Sequence, residues 1–261
     1  MKREEFLKII LKEVGSTILQ KKNKSSTYSY DKGFLAESDL IAHKAFSNGI
    51  RKQFPKDFIL TEEDGADLKN ISFKNEFCWI IDPICGTTNY LYNIPFYSHS
   101  VTILQNDQLY AAGVLDPTRN ELFYAFQNTF YLNEEKFNLT KKTSIKEALI
   151  SINTNQSNFD QEHSLNEIIN KLSPPICRRN RIIESANLEL SYVASGRIDA
   201  YYNPTDKPWD IAAAKVLIPA SGGAVHIINN SDSSILKQTG IVAASSDYLL
   251  NEILSILDIN D

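Results

Sequence analysis

Acidic side chains fall at the ends of expected strands or the start of an expected helix in three separate places. They are Glu62, Glu63 and Asp64 after FILT, Asp82 after FCWII, and Asp210 opening DIAAAKVLI. Strand ends and helix starts at the rim of a sheet present side chains to a cleft, so convergence on one site is expected. Each also has a plain structural explanation: a helix N-terminus welcomes Asp210, Asp82-Pro83 is a turn opener, and EED suits a solvated loop. The segment WIIDPICGTTNY at 79–90 asks for more. An apolar strand runs into Asp82, then Gly86, Thr87 and Thr88, which sets a carboxylate beside a turn whose N–H and hydroxyl groups can hold a phosphate. Gly86 lets the backbone approach closely. Carboxylates beside a phosphate seat, with no P-loop pattern in the chain, point to hard divalent cations held by oxygen, Mg²⁺ being the commonest.

The elements that must carry these residues follow from periodicity. Phe6, Ile9, Ile10, Val14, Ile18 and Leu19 mark an amphipathic helix over 3–22,. A second helix is expected over 38–54, with Ser38 and Asp39 as caps and Pro55 ending it,. From residue 58 the segments FILTEED, FCWIID, SVTILQ, LYAAGVLD, ELFYAF and TFYL read as a largely antiparallel meander,. The remainder alternates: strand ALISIN, helix 161–172, helix 186–196 ending at Gly196, strand DAYY, a helix from Asp210 and strand AVHII,. No repeat or low-complexity tract interrupts the chain, and the polar stretch 133–145 is its nearest approach to a boundary,. Two packed halves, 1–140 and 141–261, sharing one site are expected.

The 261 residues suffice for a sizeable core, and 43% apolar with 23% charged residues is the profile of a folded globular chain,. A net charge of −5 argues against the broad electrostatic footprint of nonspecific nucleic-acid binding,. The basic runs Lys21, Lys22, Lys24 and Arg178, Arg179 read as a solvated helix end and a solvated loop,. Cys78, Cys85 and Cys177 form neither a disulfide framework nor a C-x-x-C pair, as suits a reducing cytoplasm,. Lys2, Arg3, Glu4, Glu5, Lys12 and Glu13 leave no signal-peptide core or membrane span near the start,. His43, His99, His163 and His226 are scattered, and Ser98-His99 reads as strand packing, so no nucleophile constellation is offered,.

These motifs resemble, in order, those of the inositol monophosphatase family. Glu62-Glu63 matches its paired glutamates, DPICGTTN at 82–89 its D-P-I-D-G-T-T-N signature, PWDIAAA at 208–214 its W-D-x-A-A/G motif, and Ser38-Asp39 its S/T-D before a helix. The resemblance implies an α+β fold, a layered α/β/α/β/α sandwich, usually dimeric, that hydrolyses small phosphomonoesters with two to three Mg²⁺ and is inhibited by lithium. Carried over by position, Glu62, Asp82 and the Ile84 carbonyl would hold the first ion. Asp82, the side chain at 85 and Asp210 would hold the second, and Asp39 with Glu62 would reach the third through water. Glu62 and Thr87 would orient the attacking water, Gly86, Thr87 and Thr88 would bind phosphate, and Ser185, Ala186 and Asn203 fall where the family contacts its substrate. Ser185 is equally readable as an N-cap.

The chain departs from the pattern twice. Cys85 stands where the signature has Asp, and a thiol is a soft, weakly acidic partner for Mg²⁺. A water replacing the carboxylate, a softer ion such as Mn²⁺, loss of catalysis with retention of the fold as a binding module, and a redox role for the thiol are the readings this leaves. Asn203 stands seven residues before Asp210, where the family commonly carries a glutamate for ring hydroxyls. An amide binds hydroxyls without a charge-assisted bond, which leaves sugar, cyclitol and nucleotide phosphates all open.

Overall fold

The computed structural model describes residues 1–24, 32–64, 76–140, 143–153, 165–228 and 239–259. His163, the first residues of the helix expected at 161–172 and the side chains of Lys24 and Asp64 lie outside the described residues. Helix α1 (Arg3–Lys24) buries Leu7, Ile10, Leu11, Val14 and Ile18 along one stripe. It packs with α2 (Lys32–Gln53) on one face of a sheet through Phe46, Ile50, Trp79, Ile81 and Ile103. That sheet runs in simple order through β1 (Phe58–Thr61), β2 (Phe77–Cys85), β3 (Ser98–Gln105), β4 (Gln108–Asp116), β5 (Glu121–Phe126), β6 (Thr129–Leu132) and β7 (Glu135–Phe137). Strands β2 to β7 form the expected antiparallel meander, but β1 pairs with β2 in parallel. The chain between them is long enough for a crossover rather than a hairpin.

A second sheet takes the order β11-β12-β10-β8-β9, from β8 (Leu149–Ile152), β9 (Arg179–Arg181), β10 (Ala200–Asp206), β11 (Ala224–Ile228) and β12 (Thr239–Ala244). Between the sheets lie α5 (Ala186–Ala194) and α7 (Ala214–Ser221). Leu188, Leu190, Leu217 and Ile218 of these helices meet Val114, Phe123 and Phe130 of the first sheet and Tyr201, Ile241 and Ala243 of the second. The outer face of the second sheet is covered by α4 (Leu165–Lys171) and α8 (Asp247–Ile256), through Ile168, Leu249, Leu250 and Ile253. The result is the expected α/β/α/β/α layering. No helix among the described residues is long and apolar enough to cross a membrane.

Several expectations need correction. Helix α2 begins at Lys32, so Ser38 and Asp39 lie inside it rather than capping it. Ser38 is buried and accepts from the Tyr90 hydroxyl at 3.1 Å, a tertiary use that replaces the local one. The helix expected from Asp210 is two helices, α6 (Pro208–Ile211) and α7, so Asp210 sits in the first short turn. Residues 135–137 of the polar stretch form β7, and the passage between sheets begins only after Phe137. Lys22 is not simply solvated: its ammonium donates to the Tyr90 carbonyl at 3.0 Å and lies 4.6 Å from the Tyr90 and Tyr97 ring centres. Lys21 pairs with Glu37 at 2.7 Å, whereas Arg178 and Arg179 are exposed as expected, although Arg179 opens β9 rather than lying in a loop.

Candidate active site

The end of β2 is shaped by a bulge. Asp82 pairs with Ser100 and Cys85 with Ser98, so β2 spends one more residue than β3 between the two pairs. In a regular strand residues three apart face opposite sides; the extra residue lets Asp82 and Cys85 face the same cavity. Pro83 offers no ladder N–H, and its carbonyl is held by Nδ1 of the fully buried His99 at 2.5 Å,. Burial pulls the His99 imidazole down to about 4, so the neutral ring is a structural donor, in keeping with the packing role expected for Ser98-His99.

Gly86 follows the bulge with φ 88° and leads into α3 (Thr87–Leu91). That left-handed conformation strains any L side chain, and a Cβ here would lie 2.9 Å from the Ser185 Cβ and 3.2 Å from the Phe96 carbonyl oxygen,. Asn89 fixes the far side by donating to the Phe96 and Ile183 carbonyls at 2.9 and 2.7 Å.

A cavity of about 530 Å³ opens over this turn. Glu62, Asp82, Ile84, Cys85, Gly86, Thr87, Thr88, Ala186 and Asp210 line it, together with Asn153, Glu184, Asp206 and Lys207. One ligand atom each from Asp82, Cys85 and Asp210 lies within 4.8 Å of the others. Burial, reinforced by the charges of Glu62 and Asp210, raises the Asp82 carboxyl well above the usual range; hydrogen bonds from the Cys85 thiol and Asn187 act against this. Burial and Glu62 likewise push Asp210 up to about 7. Burial and the neighbouring Asp82 and Asp210 charges hold the Cys85 thiol well above its ordinary value, so it stays protonated.

Of the residues given a site role by the resemblance, three do not line the cavity, and neither does the exposed Glu63. Asp39 is buried on α2, where burial and the Glu63 and Glu62 charges push it up to about 7. Ser185 occupies the N-cap position of α5 without a side-chain cap; its hydroxyl donates to the Cys85 carbonyl at 3.1 Å, behind the cavity wall. Asn203 is fully buried and spends its amide on Asp206 at 2.5 Å. Asp206, rather than Asn203, is the residue of β10 that reaches the cavity. Its place beside Trp209-Asp210 was the available signal.

The lining residues Asn153, Glu184 and Lys207 were missed as well, and so was Asn187. Its Nδ2 donates to Asp82 Oδ2 at 3.0 Å and to the Trp209 carbonyl at 3.2 Å, and its backbone N–H meets the Cys85 sulfur at 3.4 Å. It thus ties the β2 turn to α6 from the start of α5. The second Asp82 oxygen, Oδ1, is buried and has no hydrogen-bond partner among the described residues. A bare, buried carboxylate oxygen facing two more acidic groups fits a divalent cation, which supplies the charge and the coordination that protein donors leave out.

The inositol monophosphatase family profile matches residues 2–260, essentially the whole chain. The chain belongs to this family. Inositol-1-monophosphatase of Bacillus subtilis (strain 168) is 32% identical over 250 residues, covering 93% of this chain and 91% of that protein. The protein named Nus factor SuhB in Pasteurella multocida (strain Pm70) is 31% identical over 226 residues, covering 85% and 81%. Among solved structures, inositol monophosphatase-II of Staphylococcus aureus MSSA476 superimposes with a TM-score of 0.82 at 23% identity, over 96% of this chain and 91% of that one, a likeness of fold. As an inositol monophosphatase family member the chain is a phosphomonoester hydrolase of a metal-dependent kind.

Proposed function

We propose that the protein hydrolyses a small phosphomonoester, inositol monophosphate or a related sugar, cyclitol or nucleotide monophosphate, with two to three Mg²⁺ and with Mn²⁺ as an accepted substitute. The observation that carries this reading is the Asp82 Oδ1, without a partner among the described residues, beside Asp210 in a cavity floored by the Gly86 turn. Glu62, Asp82, the Ile84 carbonyl and Asp210 are the oxygen ligands on offer, with Cys85 beside them and Asp39 behind Glu62. Cations held there would lower the pKa of a water toward ~7 and offset phosphate charge.

The chain's own residues then divide the remaining work. The Glu62 carboxylate and the Thr87 hydroxyl orient the attacking water by accepting its hydrogen bonds. The N–H groups of Gly86 and Thr87, with the Thr88 hydroxyl, hold phosphate oxygens. Asn187 keeps Asp82 in one rotamer, and Ala186 and Asp206 border the space for the alcohol portion. A cavity of about 530 Å³ suits a substrate of this size,. The homodimer and the lithium sensitivity implied by the resemblance, and the cytoplasmic setting suggested by the cysteine usage, belong to the same proposal.

A second reading is a scaffold that keeps the fold to bind a phosphorylated ligand or a protein. Cys85 favours it, as does the likeness to a relative named Nus factor SuhB. Phosphate release from a panel of phosphomonoesters, with Mg²⁺ or Mn²⁺, separates the two. Turnover that falls to background in Asp82→Asn is expected for the enzyme. Silence in the unchanged protein with activity in Cys85→Asp would favour the scaffold, and undiminished turnover in Asp82→Asn would sink the proposed site.

A further inference from the structure

Among the described residues that line the cavity, Lys207 alone is basic, facing Glu62, Asp82, Glu184, Asp206 and Asp210. Its Nζ donates to Glu62 Oε1 at 3.1 Å and lies 5.4 Å from the Trp209 ring centre. Its backbone N–H donates to Asp210 Oδ2 at 3.1 Å, so the main chain and the side chain of one residue touch both walls of the acidic cleft. Burial on its own pulls the ammonium down, but the Glu62 charge and hydrogen bond, then Asp210 and Asp82, hold it above its ordinary range and fully charged.

We infer that Lys207 is a tethered cation of the active site, whose ammonium at Glu62 takes the place of the outermost divalent ion and reduces by one the ions the site draws. This rests on the reading of the cavity as a metal-dependent phosphatase site and deepens it. The argument is one of charge and reach. An ammonium at 3.1 Å takes up one acceptor site of Glu62 Oε1 and offsets the charge that would attract an ion there, and a like charge at that distance opposes the approach of a second cation,. Asp82 Oδ1, by contrast, meets no donor among the described residues, so the lysine competes for the Glu62 position and not for the deeper one. The Lys207 side chain is half-exposed and tethered through four methylenes, so it can swing clear only by giving up the Glu62 contact and its place over Trp209,.

Mn²⁺ binding, read by electron paramagnetic resonance of the free ion and by calorimetry, tests this without reference to turnover. Lys207→Met and Lys207→Gln are expected to bind one Mn²⁺ more per chain than the unchanged protein, or to bind their weakest ion on the order of fivefold tighter. Lys207→Arg, which keeps the charge, is expected to match the unchanged protein. Equal stoichiometry and affinity in all four would overturn the inference, and so would a gain in Lys207→Arg as large as that in Lys207→Met. Absence of Mn²⁺ binding in the unchanged protein would count against the phosphatase reading. The inference would survive that result only if Lys207→Met then bound the ion, and would fall with it if it did not.

Discussion

Replacing Cys85 by Asp restores the charge of the family signature, and its effect on stability can be worked from the geometry. Side-chain ligand atoms of Asp82 and Asp210 lie within 4.8 Å of the Cys85 sulfur. A new carboxylate there meets each neighbour that is ionised with about 3 kcal/mol of repulsion at an effective dielectric of ~20. Proton uptake limits the total, since holding one carboxyl neutral at pH 7 costs about 4 kcal/mol against its ordinary pKa. The metal-free variant should therefore be about 3–4 kcal/mol less stable than the unchanged protein at pH 7, a fall of roughly 10 °C in melting temperature for a chain of this size. Saturating Mg²⁺ returns part of this, about 2.7 kcal/mol at a hundredfold excess over Kd. Differential scanning fluorimetry in EDTA and in Mg²⁺ measures both arms, with Cys85→Asn as the neutral control of similar size. If Cys85→Asp melts within about 2 °C of Cys85→Asn in EDTA, or gains no more than the unchanged protein from Mg²⁺, position 85 does not face the carboxylates as described.

Two further outcomes follow from the same region. Gly86→Ala places a Cβ 2.9 Å from the Ser185 side chain at φ 88°, which should cost on the order of 1–3 kcal/mol in urea unfolding and reduce activity more than it weakens metal binding; an unchanged unfolding midpoint would contradict the turn geometry,. Burial raises Glu189 from 4.5 to about 7, against hydrogen bonds from Ser151 and the Ser185 N–H. The folded protein therefore retains a proton that the unfolded chain releases near 4.5, and stability falls as pH climbs from there to about 7, by on the order of 3 kcal/mol,. Glu189→Gln should flatten that part of the pH–stability curve, and an equally steep curve in the variant would dismiss Glu189 as its source.

Local pattern carried the elements whose chemistry is local. ELFYAF, TFYL and AVHII emerge as β5, β6 and β11 with their expected ends, because alternation and flanking turn formers bound them. TGIVAA became β12 without being anticipated, since glycine and alanine carry little strand preference and its burial comes from β10 and β11 on either side,. RNR forms β9 only because β8 offers an edge. The start of α2 was misread because Ser38-Asp39 has the composition of a cap while its actual partner, Tyr90, is 52 residues away. In the candidate site, Asp82, Gly86 and Asp210 were legible from residue type at strand and helix ends. Asn187 was not, because its bond to Asp82 spans 105 residues and nothing in ANLELSYVA distinguishes that amide from any other polar side chain in a helix. Lys207 and Asp206 lay next to a recognised motif, yet their direction into the cavity is set where β10 ends and α6 begins.

The contacts from α5 back to the β2 turn also give the cavity a place in the order of synthesis. A nascent chain that has reached Phe137 holds every strand of the first sheet, with Asp82 and the Gly86 turn already made. The amide that steadies Asp82, the hydroxyl that pins the Cys85 carbonyl and the opposing carboxylate of Asp210 are still unmade, 100 or more residues downstream of the groups they meet. Domains begin to fold from the N-terminus as they emerge from the ribosome. Competence to gather cations therefore arrives late and all at once, when α5 and α6 close over a turn that has waited through nearly half the chain, and an arrested or truncated product would carry the signature without the site.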